Sequence, residues 1–173
     1  MAPVASIGTA FLLLDVAGTS CALPRAAVAE VLPLPDLHRP PAAGGWLAGF
    51  LNLGGAPVPV VDLAALLGLR AGAPDGTAEP GPYAHLVLTR DRALAYLVDR
   101  AADLVTVPDA AVRPVAEAGS LNGCVAAEIA LGERLVHALA PDRLLTAQER
   151  ARVEALARAA ALRLAALPVA EPA

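Results

Sequence analysis

The chain is poor in the residues that bind polyanions or carry covalent chemistry. It contains no lysine; its thirteen basic residues are all arginine, scattered among seventeen acidic ones for a formal net charge of −4. Such a surface offers no electrostatic stripe for a phosphate backbone, so nucleic-acid binding is not expected. Aromatic residues make up only 3% of the chain. The core must therefore be built from Leu, Val and Ala. No apolar run reaches the roughly 18–20 residues that a membrane span needs. Arg, Asp or Pro interrupts each one, and direct membrane insertion is not expected. No basic region precedes a long apolar stretch at the N-terminus, so no signal peptide is expected either. Cys21 and Cys124 are the only cysteines. They fit two reduced, buried thiols of a cytoplasmic protein better than a disulfide framework.

Nothing in the sequence assembles a reactive constellation. His38, His85 and His137 come from three separate segments, and none stands beside a Cys, Ser or carboxylate as a nucleophile–base pair would. His85 and His137 lie in apolar strands, as buried partners of backbone groups. His38 borders a proline-rich stretch and should be exposed. Asp99 and Asp103 are four apart but follow a strand, and no further ligand type is close in sequence, so they read as turn and loop caps and not as a metal site. Gly54-Gly55 lacks the Lys-Ser/Thr of a phosphate loop, and prolines replace the helix start that would hold phosphate. No catalytic residue, cofactor or metal is expected. A hydrolase built on Cys21 or Cys124 remains as a competitor, and it requires a histidine within hydrogen-bond reach of either thiol.

What the sequence does contain is turn chemistry between short apolar runs. Residues 49–63 are the clearest case: an apolar strand, a turn over Asn52 to Gly55, a second strand with Pro57 and Pro59, and a short helix. Glycine accepts the positive φ of a tight reversal. A strand with two prolines should be an edge strand or a strand end. Asp62 caps the helix that follows and Gly68 stops it. Residues 1–10 read as a loose terminus. Residues 25–32 begin with helical propensity, with Val28, Val31 and Leu32 on one side, until Pro33 and Pro35 forbid continuation. Trp46 is an anchor for the core or for a groove. Residues 70–82 are rich in Pro and Gly and mark an exposed linker. Strands resume after it, with a tight turn at Asp91-Arg92 and a last hairpin around Gly132-Glu133. Thr146 and Glu149 form a capping box for an amphipathic helix over 147–167, with Val153, Leu156, Ala160, Leu164 and Leu167 at helical spacing. About ten short strands with turn signals every 8–12 residues predict a mostly β barrel or sandwich pair in two lobes.

Five stretches together resemble the CheW-like family, the coupling proteins of bacterial chemotaxis arrays. Val28-Ala29-Glu30-Val31 resembles the family's Val-x-Glu-Ile. Residues 49–63 resemble its hallmark, a Gly and apolar pair, Asn-Leu-Arg-Gly, then Val-Pro-Ile-Val-Asp-Leu. The pairing of 95–99 with 103–105, the Val112-Arg113-Pro114 stretch, and 132–145 complete the series in order. The resemblance implies two small five-stranded SH3-like barrels around a shared apolar core, a CheW-like domain over 10–146, and a C-terminal helix over 147–167 packed on it. It implies a non-enzymatic adaptor that couples a CheA-type histidine kinase to the cytoplasmic tip of a methyl-accepting chemoreceptor. Such an adaptor is cytoplasmic, recruited to membrane-associated receptor arrays, and monomeric when free.

The partner-binding residues so implied are Val28, Glu30, Val31, Asn52, Gly54 and Gly55. Each has a plainer reading. Glu30 is a groove charge or a solvated helix-end carboxylate; Val28 and Val31 face a partner or the core. Gly54 stands where the family carries Arg, whose planar, multi-donor head glycine cannot replace. That departure leaves open an adaptor of another chemosensory pathway, such as twitching motility or surface sensing. A small-molecule-binding barrel is the alternative from a different class.

Overall fold

Short apolar runs punctuated by turn residues pair into eleven strands among the described residues. These are residues 8–39, 45–69, 81–115 and 123–166 of a computed structural model. The strands are β1 (Gly8–Val16), β2 (Thr19–Pro24), β3 (Val28–Pro33), β4 (Leu47–Leu53), β5 (Ala56–Asp62), β6 (His85–Thr89), β7 (Ala95–Val98), β8 (Arg100–Pro108), β9 (Val112–Pro114), β10 (Val125–Leu131) and β11 (Arg134–Leu139). Two α-helices, α1 (Leu63–Leu66) and α2 (Ala147–Ala166), follow β5 and β11. Sheet I runs β8-β1-β2-β11-β10-β9 and sheet II runs β3-β6-β7-β5-β4. The chain crosses between them after β2 and again between β7 and β8. Most of the linker expected over 70–82 lies outside the described residues; Gly81 and Pro82, at its end, are exposed.

Side-chain alternation divides the apolar residues into three clusters. One lies within sheet I and includes Phe11, Leu13, Val107, Ile129 and Val136. A second lies within sheet II and includes Leu51, Val58, Leu86, Leu88 and Leu97. The largest is shared: Leu14, Val16 and Leu23 of sheet I meet Val61, Val87 and Val98 of sheet II, with Leu63, Leu67 and Val153 from the helices. This is the two-barrel arrangement around a common core that the resemblance implied, with six strands in sheet I where five were expected. Each fully buried Leu or Val stabilises it by about 1.5–3 kcal/mol.

Local signals acted as read at several places. Asp62 Oδ1 accepts the Ala65 N–H at 3.3 Å. Glu149 accepts the Thr146 N–H at 2.9 Å while Thr146 Oγ1 accepts the Glu149 N–H at 3.1 Å, closing the capping box. Asp91 Oδ1 holds the β6–β7 turn through Thr89 Oγ1 and the Ala93 N–H.

Four expectations change. Gly8 to Ala10 are paired to β8 as part of β1, so the strand begins inside the supposed terminus. Residues 25–32 form a 3-10 turn (Arg25–Ala27) and then β3, because pairing with β6 overrides the weak helical propensity. β5 is internal, between β7 and β4. Its prolines fit because pairing to β7 starts only at Val60, and because Phe50, opposite Pro59, spends its own backbone bonds on His38. In α2 only Val153 is buried; Leu162 is 72% exposed and Leu164 42%, so the apolar residues do not gather on one buried face. Leu167 lies outside the described residues.

Candidate partner-binding surface

Two exposed elements at opposite margins of sheet II carry the sequence-predicted residues. The first is β3, an edge strand. Its register with β6 shifts between Val28 and Glu30, with Ala29 as the extra residue. A bulge reorients the residues that flank it. Val28 therefore turns into the shared core, where it is 3% exposed, while the consecutive Glu30 and Val31 both reach the surface. Val28 is thus a core residue in this structure, and it fixes the strand from beneath. The Arg25 guanidinium reinforces this entry by donating to the Val28 carbonyl at 2.8 Å. Val31 is 37% exposed. Glu30 lies 3.8 Å from Arg92 of the β6–β7 turn, with both side chains about half exposed. An ion pair so solvated stabilises by no more than about 1 kcal/mol, so Glu30 remains available to a partner.

The second element is the β4–β5 turn. Asn52 Oδ1 accepts the Gly55 N–H at 2.8 Å, and Gly54 and Gly55 have φ of 60° and 91°. Two positive-φ residues in succession match the tight turns whose twist suits a hairpin. A Cβ built on Gly54 would meet nothing within 4 Å, so the obstacle to a side chain there is backbone strain and not space. Three strands, β6, β7 and β5, lie between β3 and β4 in the sheet. Glu30 and Val31 therefore form one patch, and Asn52, Gly54 and Gly55 another.

Gly49 has a structural task that sequence reading did not assign. The His38 carbonyl lies 2.7 Å from where its Cβ would be, and His38 and Phe50 exchange backbone hydrogen bonds at 2.8 and 3.0 Å. The chain beyond β3 thus seals part of the outer edge of β4, which only a glycine permits. Tyr83, 72% exposed just before β6, is a further apolar surface residue with no warning in the periodicity.

The remaining candidates are structural. Asp99 Oδ2 accepts the Ala17 N–H at 2.6 Å, and Asp103 Oδ1 accepts the Leu104 N–H at 2.8 Å. His85 Nδ1 accepts the Ala101 N–H at 3.2 Å, tying sheet II to β8 of sheet I. His137 Nδ1 is buried without a hydrogen-bond partner among the described residues. Trp46 is half-buried against the shared core. Burial and the nearby Asp15 charge push the Cys21 thiol up to about 12. Burial likewise raises Cys124, whose thiol donates to the Arg143 carbonyl at 3.3 Å. Thiols held in the neutral form are poor nucleophiles. Among the described residues no histidine hydrogen-bonds either one, and no group of three or more His, Cys, Asp or Glu is placed to hold a metal ion.

The family model for the CheW-like domain matches residues 10–149. The chain belongs to the CheW-like domain family. It is 34% identical over 83 residues to the probable chemotaxis protein CheW of Rhizobium etli, and equally to the chemotaxis protein CheW of Rhizobium meliloti. Each match covers 46% of this chain and 49% of the relative, so it spans about half the length of either protein. The fold is similar to that of the scaffolding protein TtCheW from Thermoanaerobacter tengcongensis, with a TM-score of 0.71 over 86% of this chain and 95% of that one, at 13% identity. The CheW-like match ends within the first turn of α2, so most of that helix extends beyond the family domain. No helix among the described residues is long and apolar enough to cross a membrane.

Proposed function

We propose that this chain is a non-enzymatic chemotaxis scaffold that couples a CheA-type histidine kinase to the cytoplasmic tip of a chemoreceptor. Membership of the CheW-like family over residues 10–149 carries the reading. The two exposed patches of sheet II supply surfaces through which it acts: Glu30 and Val31 on an edge strand, and Asn52, Gly54 and Gly55 on a hairpin tip. Edge strands offer unpaired backbone and alternate side chains to an incoming segment. A stable contact of this kind buries on the order of 1,200–2,000 Å² in total. The protein is cytoplasmic and monomeric when free, and joins membrane-associated arrays by holding both partners.

Gly54 favours a second version of the same reading, in which the scaffold serves another chemosensory pathway. A residue without a side chain at the tip of the β4–β5 hairpin offers a partner backbone only. A receptor that relies on a guanidinium there would bind this chain weakly.

Calorimetric titration of the purified chain with a kinase regulatory fragment and with a receptor signalling fragment tests the proposal. Binding of both at once is expected. Glu30→Lys should weaken one of the two, and Gly54→Arg should raise receptor affinity. Failure of the chain to bind any kinase or receptor fragment encoded beside it would overturn the reading.

A further inference from the structure

We propose that the mouth of the first barrel is a binding site for a small carboxylate with a short apolar tail. The inference is separate from partner docking and rests on sheet I alone.

Strand register assembles the site from four strands. Asp15 of β1 is paired with Ser20 of β2 and with Arg100 of β8. The bulge between Leu13 and Leu14 shifts β8 so that Arg100 comes beside Asp15. Arg134 begins β11, the neighbour of β2 on its other side. These four polar residues line one cleft of about 220 Å³. Leu13 and Val136, 8% and 1% exposed and both within the apolar cluster of sheet I, also line it. A cleft of this kind has an apolar floor and a few polar groups at its entrance, as small-ligand sites in barrel mouths do.

The charges are arranged for an anion. Two guanidinium groups against one carboxylate leave one positive charge in excess. Asp15 is engaged elsewhere, because its Oδ1 accepts the Gly18 N–H at 2.8 Å and holds the β1–β2 turn. Although Arg100 is the cross-strand neighbour of Asp15, neither its guanidinium nor that of Arg134 has a hydrogen bond or ion pair among the described residues. Guanidinium groups bind carboxylates through paired, charge-assisted hydrogen bonds. Leu13 and Val136 would then receive the tail, and the Ser20 hydroxyl is a further donor at the entrance.

Amide NMR titration of the full chain with acetate, butyrate, hexanoate and 1-butanol decides the matter. Butyrate should move the amides of Asp15, Ser20, Arg100 and Arg134 together. Affinity should rise roughly three- to four-fold for each CH₂ the floor accepts and level off once the cleft is full. Both arginines are exposed, so Arg100→Gln with Arg134→Gln should keep the fold and weaken butyrate at least ten-fold. The proposal is overturned if acetate and hexanoate act alike across scattered arginines, if 1-butanol acts as strongly as butyrate, or if the double variant binds butyrate unchanged. It is also overturned if no acid binds, and loss of kinase or receptor affinity in the double variant would then assign the cleft to a protein side chain.

Discussion

The chain contains one short motif twice, and the two copies meet different fates. Leu23-Pro24-Arg25-Ala26-Ala27-Val28 and Val107-Pro108-Asp109-Ala110-Ala111-Val112 each leave a strand of sheet I through a 3-10 turn and enter a new strand. The prolines preceding the turns have φ of −55° and −60°, and the valines after them are both extended. Local geometry is therefore the same, as proline's fixed φ would have it. The destinations differ. The first copy crosses to sheet II, where β3 pairs with β6 over five registered positions. The second stays in sheet I, where β9 pairs with β10 over three. Val28 ends in the shared core and Val112 is half-buried at the margin of the sheet I cluster. The same hexapeptide pattern builds a support for an exposed edge in one place and a short strand end in the other.

The strongest way to break this comparison is to truncate the two valines. Val28→Ala removes methyl groups from a fully enclosed site and should cost about 2 kcal/mol of unfolding free energy. Val112→Ala should cost under about 1 kcal/mol, because solvent already reaches it. Urea denaturation of both variants, at unchanged m-value, measures the pair. Equal losses would mean that the two turns are equivalent after all.

The shared core also responds to pH differently from the sheet edges. Burial pushes both the Cys21 thiol and the Tyr96 phenol up to about 12, from 9.0 and 10.0. The folded state thus favours the neutral forms. Their contribution is fully present below pH 9 and is lost as pH rises towards 12, because the unfolded chain ionises first. Stability should fall over that window, and Cys21→Ala should flatten its lower part. At the exposed β6–β7 turn the sign reverses: the hydrogen bond from Thr89 and then that from the Ala93 N–H hold the Asp91 carboxyl below 3.8. That contribution is present above the unfolded value and fades as pH falls through the folded one. Exposure keeps it small.

A third comparison concerns the residue that follows each proline. Arg25 donates to the Val28 carbonyl at 2.8 Å, whereas the Asp109 side chain has no hydrogen bond or ion pair among the described residues. Arg25→Ala should cost about 1 kcal/mol, the net value of one hydrogen bond, and Asp109→Ala close to nothing. Thermal unfolding of the two variants would resolve the difference.

These pairs explain which parts of the molecule were legible in the sequence. Caps and turns are settled within three or four residues. Asp62, Gly68, the Thr146–Glu149 box and the Gly132-Glu133 hairpin could all be read directly. β3 could not, because its identity is fixed by β6, more than fifty positions away. Without that partner the bulge at Ala29 is invisible, and Val28 cannot be told from Val31. The prolines of β5 misled for a related reason: proline excludes a hydrogen bond, and whether a strand is internal depends on where its neighbour begins. The barrel-mouth cleft draws Arg100, Arg134, Asp15 and Ser20 from four strands, and no spacing in the sequence joins them. The repeated hexapeptide, by contrast, was open to inspection in the sequence, but which copy crosses between the sheets was not.

A small stability effect, and the sharpest functional one, belongs to Glu30. Its only charged neighbour in an ion pair among the described residues is Arg92 at 3.8 Å, on a solvated surface. Glu30→Lys replaces that attraction with a repulsion, yet screening should hold the change in stability to about 0.5 kcal/mol. Val28 beneath it is untouched, so β3 keeps its register. If β3 is a docking edge, the same substitution should weaken kinase or receptor binding at least ten-fold while the melting temperature hardly moves. Double substitution with Arg92→Glu should restore the small stability loss, because the ion pair is re-formed in reverse, without restoring binding. Recovery of both together would make Glu30 a brace for the strand and leave the hairpin tip as the remaining contact surface.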